Sequence, residues 1–224
     1  MDATDTPNEI RSYDVHELRA EADGNSITGY ASVFNQEIDM GRFREMVKPG
    51  AFARTVLEDT VFAAWNHNMD TVFAGNKADT LSLREDPVGL HFEIKPPDEQ
   101  FPTLRASYDR MRDMVRSGLI NKMSFGFNVV RQTWNSADGK PDLREINEVK
   151  LWEISLVPFP AYEGTSVSAR GIEAVAQERE AMKIAEAQAA QAALDEQKKL
   201  DESFAATRAM RSRSLRLKLT LKAR

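Results

Sequence analysis

The sequence has 224 residues, with 30 basic and 35 acidic side chains and no cysteine. This length suffices for one domain of moderate size and an appendage. The lack of cysteine excludes disulfides and thiolate metal sites. No apolar run approaches the ~20 residues of a membrane helix, and the start MDATDTPNEI is too polar and acidic for a secretory signal. We therefore expect a soluble cytoplasmic protein that does not enter the membrane.

Charge is distributed unevenly along the chain. No acidic residue follows Glu202, and residues 208–224 carry seven Lys and Arg, which leaves 23 basic against 35 acidic residues elsewhere, a balance of −12. This polarity indicates a tail that either meets an acidic partner, protein or nucleic acid, or is a solvated end. The acidic body argues against nucleic-acid binding as the main role.

Short strand-like runs recur through residues 1–170. They are rich in β-branched and aromatic residues and are bounded by Gly, Pro, Asn or Asp; they cover 26–34, 60–67, 80–85, 89–95, 122–134 and 149–157. A short helix is expected in GAFARTVLE, and a longer one from about Thr103 to Ser117, ended by Gly118. Many short strands with few helices favour an α+β, mainly β domain with a closed or nearly closed sheet.

The composition changes at Gly171. Residues 171–206 are dominated by the helix formers Ala, Glu, Gln and Lys. Because most of the apolar residues are alanine, a long exposed or partner-binding helix is expected rather than a second globular domain. From Leu215 to Leu221 apolar and basic residues alternate, which is typical of an amphipathic strand. The prediction is a domain over residues 1–170 and a C-terminal extension over 171–224.

Ser124 is the first candidate functional residue. In the strand NKMSFGF, alternation places Met123 and Phe125 on the core face, and Ser124 with Gly126 on the other. Most serines in such a position are ordinary polar residues, so this observation is not specific by itself.

Two further candidates lie in other strands. His67 ends an apolar strand in AAWNHNMD, between two asparagines that mark a turn, where a lone histidine is more often structural. Glu153 lies in VKLWEISLV on the face opposite Trp152, and a carboxylate among apolar residues must be paired. Arg131 or Arg144 could supply a structural ion pair.

Together the three residues predict nucleophilic catalysis. A serine hydroxyl needs a neighbouring imidazole to take its proton, and a carboxylate holds that imidazole in the correct tautomer. A metal-dependent hydrolase is poorly supported, because no H-E-x-x-H or similar spacing occurs and His16 and His91 read as exposed strand residues. No cofactor is expected.

The blocks ITGYASVFN, DMGRFREMVKPGAFART, WNHN, LSLREDPVGLHFEI, INKMSFGF and VKLWEISLVPFPAY resemble the prohead maturation proteases of tailed bacteriophages, over about residues 26–169. The resemblance implies a serine endopeptidase with a small β-barrel surrounded by helices, related to the herpesvirus assembly proteases. It implies His67, Ser124 and Glu153 as catalytic residues, and Gly126 as a point where a substrate backbone approaches a catalytic groove. The implied partners are the capsid protein with its scaffolding segment and, through self-digestion, the protease itself, inside the procapsid in the host cytoplasm.

Two other functions stay open at this point. The chain could be an inactive scaffolding or capsid-assembly protein that retains the protease fold, since its Ala/Glu/Gln segment has a scaffold-like composition. It could also be a nucleic-acid-binding module that uses its basic tail on packaged DNA.

Overall fold

The computed structural model describes residues 8–13, 18–21, 26–137, 139–158 and 166–222. These ranges contain eleven strands, three α-helices and one short 3₁₀-helix, Asn76–Ala78. The strands are β1 Glu9–Tyr13, β2 Arg19–Ala20, β3 Ile27–Val33, β4 Ile38–Asp39, β5 Arg44–Val47, β6 Phe62–Trp65, β7 Asn68–Gly75, β8 Leu81–Glu85, β9 Gly89–Ile94, β10 Lys122–Ala137 and β11 Lys140–Val157. The helices are α1 Ala53–Glu58, α2 Pro102–Arg116 and α3 Ser166–Lys222.

The larger sheet has seven strands and is organised around the long strand β11. One edge of β11 pairs antiparallel with β10, whose far edge pairs antiparallel with β1. Along its other edge, β11 pairs in parallel with β5 at residues 143–146 and with β6 at residues 153–156. β4 extends the sheet beyond β5, and β7 extends it beyond β6. At one end of the sheet, β1, β10, β11, β6 and β7 therefore lie side by side.

The smaller sheet contains β2, β3, β9 and β8 in that order, all antiparallel. Neither sheet closes on itself within the described residues, so the predicted small β-barrel is not confirmed, although the mainly β, α+β class agrees with the structure. His91 lies half-buried on β9, with its ring edge-on to that of Tyr30. His16 lies outside the described residues.

One hydrophobic cluster joins the two sheets and α2. Phe125 on β10 is fully buried in it, as the alternation of NKMSFGF predicts. Helix α2 contributes Tyr108, Met111 and Val115, which lie on one helical face at intervals of three and four residues. The helix ends before Gly118, whose φ of 75° is the left-handed conformation that commonly follows a helix. The predicted end of this helix is therefore confirmed.

Helix α3 runs from Ser166 to Lys222, beyond both ends of the predicted helix over 171–206. The strand pattern assigned to Leu215–Leu221 is wrong, because these residues continue the helix. Extending an existing helix adds a backbone hydrogen bond for each residue, whereas an isolated strand has no partner. Every side chain described from 183 to 205 is exposed. None of the described helices combines the length and apolar character of a membrane span, and the chain divides into two compact units, Met1–Ala174 and Val175–Arg224.

Candidate active site

His67 lies in the turn between β6 and β7, rather than at the end of a strand as predicted. Trp65 pairs with Asn68, and the two residues between them have φ angles of 51° for Asn66 and 59° for His67. Positive φ at both central residues is typical of a type I′ turn, where the second position usually carries glycine. A left-handed conformation at a non-glycine residue costs about 1–3 kcal/mol, and such strain is concentrated at functional sites.

A hydrogen bond joins the His67 ring to Glu153 on β11. The His67 Nδ1 lies 2.8 Å from Glu153 Oε1, and Glu153 is only 6% exposed. Its other oxygen, Oε2, accepts a hydrogen bond from the Ser155 hydroxyl. The predicted structural ion pair with Arg131 or Arg144 is wrong, because both arginines pair with other glutamates. The partners of this buried carboxylate are a histidine and a serine.

A β-bulge in β11 directs the Glu153 side chain. Gly126 on β10 pairs with Glu153, but the next residue, Phe127, pairs with Leu151, so Trp152 is an extra residue on β11. Strict alternation placed Leu151 and Glu153 on one face; the bulge instead places them on opposite faces, with Leu151 fully buried and Trp152 40% exposed. Bulges recur beside active sites because they change the direction of a side chain.

Gly126 provides the space that the Glu153 carboxylate occupies. A Cβ atom at Gly126 would lie 2.6 Å from Glu153 Oε1, far closer than van der Waals contact. The carboxylate therefore extends across the backbone of β10, on the same face as Ser124. The expectation that this glycine admits a substrate backbone is wrong in this structure, since the space is filled by the carboxylate.

Ser124 lies in β10, between β1 and β11. It pairs with Ser12 on one side and Ser155 on the other, so the side chains of Ser124 and Ser155 are on one face. The Ser124 hydroxyl donates to the carbonyl oxygen of Arg11 at 2.9 Å, and its side chain is fully buried. Nε2 of His67 is also buried and has no hydrogen-bond partner among the described residues.

The sheet therefore brings together two of the three predicted residues through a direct contact and places the third nearby. Neighbouring strands are about 4.8 Å apart, so the backbones of β10 and β6 are separated by roughly 10 Å across β11. The Ser124 hydroxyl and the His67 ring are not hydrogen-bonded in this arrangement, since the hydroxyl donates to Arg11. Among the described residues the Ser124 side chain is enclosed, so the predicted groove is not open at this serine.

Four buried charged residues next to this site were not anticipated from the sequence. Arg11 and Arg144 bind Glu9 and Glu45 at nitrogen–oxygen distances of 2.5–3.0 Å, and each of the four is at most 3% exposed. Burial alone would raise the pKa of Glu45, but the attraction and hydrogen bonds of the two arginines outweigh burial and hold this pKa below its ordinary value. This charge cluster anchors β1, which provides the carbonyl that holds the Ser124 hydroxyl.

Sequence reasoning missed this charge cluster because its members come from distant parts of the chain. Glu9 and Arg11 occupy alternate positions and therefore share a strand face, but Arg144 is 135 residues away from Glu9 along the chain. The sequence also offered no reason to single out Ser155. The described residues contain no group of three or more His, Asp or Glu side chains arranged to hold a metal ion.

Comparison with known proteins identifies a family. The family model described as Caudovirus prohead serine protease matches residues 11–178. The matched range contains the strained His67 turn, Ser124 and the buried Glu153, and it ends within α3. No curated protein and no solved structure matches the chain significantly.

Proposed function

The chain belongs to the caudovirus prohead serine protease family and is a serine endopeptidase of phage head maturation, and from this premise we propose that His67, Ser124 and Glu153 are its catalytic residues. The observation that carries the proposal is the 2.8 Å hydrogen bond between His67 Nδ1 and Glu153 Oε1. A histidine held by a carboxylate at one nitrogen, whose other nitrogen has no partner in the described part of the chain, is arranged as a general base.

Each residue then has a defined chemical task. Glu153 accepts the hydrogen bond of the proton on Nδ1, so the lone pair of the neutral His67 ring is on Nε2. Nε2 takes the hydroxyl proton of Ser124 as the oxygen attacks the scissile carbonyl carbon. The resulting imidazolium, stabilised by Glu153, returns this proton to the leaving amine, and an acyl-enzyme remains. Water, activated by the same nitrogen, then attacks the ester and releases the second product.

The Ser124 hydroxyl must change partner for this reaction. It donates to the Arg11 carbonyl, and rotation about its χ1 angle would turn it away from this acceptor and towards the His67 ring. Hydrogen bonds between catalytic groups are often loose or absent without substrate and tighten in the complex. We infer that the described arrangement is a resting state of the site.

The His67–Glu153 pair can be tested by two substitutions. His67→Ala should reduce kcat by about four orders of magnitude or more, because serine and histidine act as one unit. Glu153→Gln should reduce it by roughly 10⁴-fold, because an amide that donates to Nδ1 favours the wrong tautomer. Turnover is measured on the capsid protein, with melting temperature as the folding control. Wild-type activity for Glu153→Gln would make the carboxylate a structural partner only.

Gly126→Ala offers a second approach to the same pair without changing either member. The added Cβ would come within 2.6 Å of Glu153 Oε1 and force the carboxylate away from His67. We therefore expect a loss of kcat similar to that of Glu153→Gln, and little additional loss when the two substitutions are combined. Gly41→Ala is the matched control, since no described heavy atom outside residues 40–42 lies within 4 Å of its Cβ position, although its φ of 82° makes some loss of stability expected. If the losses of kcat caused by Gly126→Ala and Glu153→Gln multiplied in the double variant, the steric explanation would be contradicted.

We propose that the substrate is the scaffolding segment of the capsid protein, cut inside the assembling procapsid in the host, and that the protease also cuts itself. The match to a serine protease family supports this role over that of an inactive scaffolding protein. The test is to co-express the chain with the capsid protein of the same phage and to identify shortened products by mass spectrometry. An uncut capsid protein in fully assembled procapsids would contradict the proposed substrate.

We also propose that the C-terminal part of α3 delivers the protease into the procapsid and is itself a cleavage target. The family match ends at residue 178, and the side chains at 183–205 are exposed. A helix that buries so little apolar area contributes little to folding, and exposed segments are where proteolysis concentrates. A chain truncated after Glu178 should cleave capsid protein in solution, while its amount in purified procapsids should fall at least about tenfold, a loss of ~1.4 kcal/mol in binding. Undiminished packaging would contradict delivery, and a truncated chain that cannot fold would assign the segment to the domain.

A further inference from the structure

We propose that Ser155 is a positioning residue that acts through the His67–Glu153 pair, an inference that rests on the proposed catalytic role of that pair. Its hydroxyl connects the two elements that must be aligned. It donates to Glu153 Oε2 and accepts from the backbone N–H of His67 at 3.1 Å. One buried oxygen thus holds both the carboxylate and the strained turn that carries the imidazole.

The Ser155 hydroxyl uses its donor and an acceptor position on two different groups of the site. A hydroxyl has one proton and two lone pairs, and Ser155 uses the proton on the carboxylate and a lone pair on the His67 N–H. Glu153 then divides its two oxygens, with Oε2 for Ser155 and Oε1 for His67 Nδ1. This division fixes the rotation of the carboxylate, which would otherwise be free to turn about its last torsion.

The location of Ser155 allows it to hold both groups. It is fully buried on β11, with Ser124 beside it on β10 and Ala64 beside it on β6. The turn containing His67 follows β6 directly, and its N–H points back to β11, where Asn66 also donates to the Leu156 carbonyl. The backbone of the turn is therefore attached to β11 by two adjacent hydrogen bonds, of which the Ser155 bond alone has a side-chain acceptor that substitution can remove.

Ser155 itself is poorly arranged as the nucleophile. Its proton is donated to the carboxylate that serves His67, and the ring nitrogen near this carboxylate is Nδ1, which already bonds Oε1. Ser124 donates only to a neutral carbonyl, from which it can rotate. The two buried serines lie side by side on neighbouring strands, so the experiment must show which of them is the nucleophile.

The test compares Ser155→Ala with wild type in the full-length protein, using a peptide that contains the cleavage site of the capsid protein. Small displacements of catalytic groups cost up to about 100-fold in rate, so we expect kcat to fall roughly 10- to 100-fold with KM changed less than about threefold. In the Glu153→Gln background the same substitution should cost clearly less than in the wild-type background, because the carboxylate is already absent and only the bond to the His67 N–H remains to be lost. Ser155→Thr, or Ser155→Cys if the added methyl is not accommodated, should restore part of the rate.

Ser32→Ala is the matched control, because Ser32 is equally buried, lies on β3 in the other sheet, and has no hydrogen-bond partner for its hydroxyl in the described structure. Its rate should equal that of wild type. Wild-type kcat for Ser155→Ala, or equal losses in the wild-type and Glu153→Gln backgrounds, would overturn the positioning role and leave the proposed catalytic residues in place. A fluorophosphonate found on Ser155 rather than Ser124 by peptide mapping would overturn both this inference and the assignment of Ser124.

Discussion

Replacing Ser124 by alanine should abolish cleavage of the capsid protein while the protein stays folded. Removal of the nucleophile from a serine triad typically reduces kcat by about 10⁶-fold, because histidine and carboxylate have no group left to activate. The substitution also removes the 2.9 Å hydrogen bond to the Arg11 carbonyl, which contributes about 1 kcal/mol. For a chain of this size, the melting temperature should then fall by only about 2–4 °C. Cleavage is followed by mass spectrometry of the capsid protein, and folding by circular dichroism.

The control must lose a buried serine hydroxyl without touching the proposed site. Ser32→Ala meets this requirement and should retain full activity. Peptide mapping after reaction with a fluorophosphonate adds an independent measurement, since wild type should carry the adduct on Ser124 and His67→Ala should react far more slowly. Undiminished cleavage by Ser124→Ala would end the proposal that this serine is the nucleophile.

The elements that the sequence predicts well are those whose signals are local. Helix α2 has a stripe of apolar residues at helical spacing and a glycine after its last turn, and both act within the helix itself. In β10, alternation buries Phe125 and places Ser124 on the opposite face of the strand. Predicting this requires only the two-residue period of an extended chain. The nearness of His67 and Glu153 was suggested by chemistry and family resemblance, and the structure places their side chains in contact.

The features that the sequence could not predict depend on pairing between distant segments. The bulge at Trp152 exists because Phe127 pairs with Leu151 rather than Trp152, a register that no single strand encodes. Strands such as β5, with four residues, have too short a pattern to be recognised, and only their pairing with β11 defines them. The left-handed conformation of His67 is equally hidden, because an Asn-His pair is a weak signal for a type I′ turn.

The bonds that hold the site depend on the same long-range pairing. Ser155 reads as one more polar residue in VKLWEISLV, and its contact with the His67 backbone spans 88 positions. The space at Gly126 has meaning only once Glu153 is placed opposite it. Local patterns therefore predicted which residues could be reactive, whereas the residues that hold them in place emerged only from the tertiary structure.

The largest stability effect is expected from breaking the buried charge cluster of Glu9, Arg11, Glu45 and Arg144. Arg144→Met keeps the approximate length of the side chain but leaves Glu9 and Glu45 with Arg11 as their only cationic partner in the cluster. Removing one member of a buried ion pair typically costs about 3–5 kcal/mol, because the remaining charge stays desolvated. This would reduce the free energy of unfolding by a large fraction, since domains are stable by only about 5–15 kcal/mol. The measurement is urea unfolding at neutral pH.

The pH dependence of unfolding provides a second readout of the same cluster. The pKa of Glu45 lies below its ordinary value of 4.5, because the two arginines outweigh the opposing effect of burial. The unfolded chain therefore binds a proton more readily than the folded chain, so this contribution is fully present above about pH 4.5 and is lost as the pH falls through the folded pKa. In Arg144→Met the pKa of Glu45 should move upward. The decrease in unfolding free energy that protonation of Glu45 causes at acid pH should then become smaller.

Arg42→Met is the matched control for this prediction. Arg42 pairs with Glu173 at 2.8 Å, but the two side chains are 63% and 45% exposed, so solvent screens their attraction. A surface pair of this kind contributes at most about 1 kcal/mol. If Arg144→Met and Arg42→Met lowered the unfolding free energy equally, the buried cluster would not be anchoring β1. A loss confined to Arg144→Met would instead mean that the strand whose carbonyl holds the Ser124 hydroxyl is fixed by buried charge, and that the position of this proposed nucleophile depends on it.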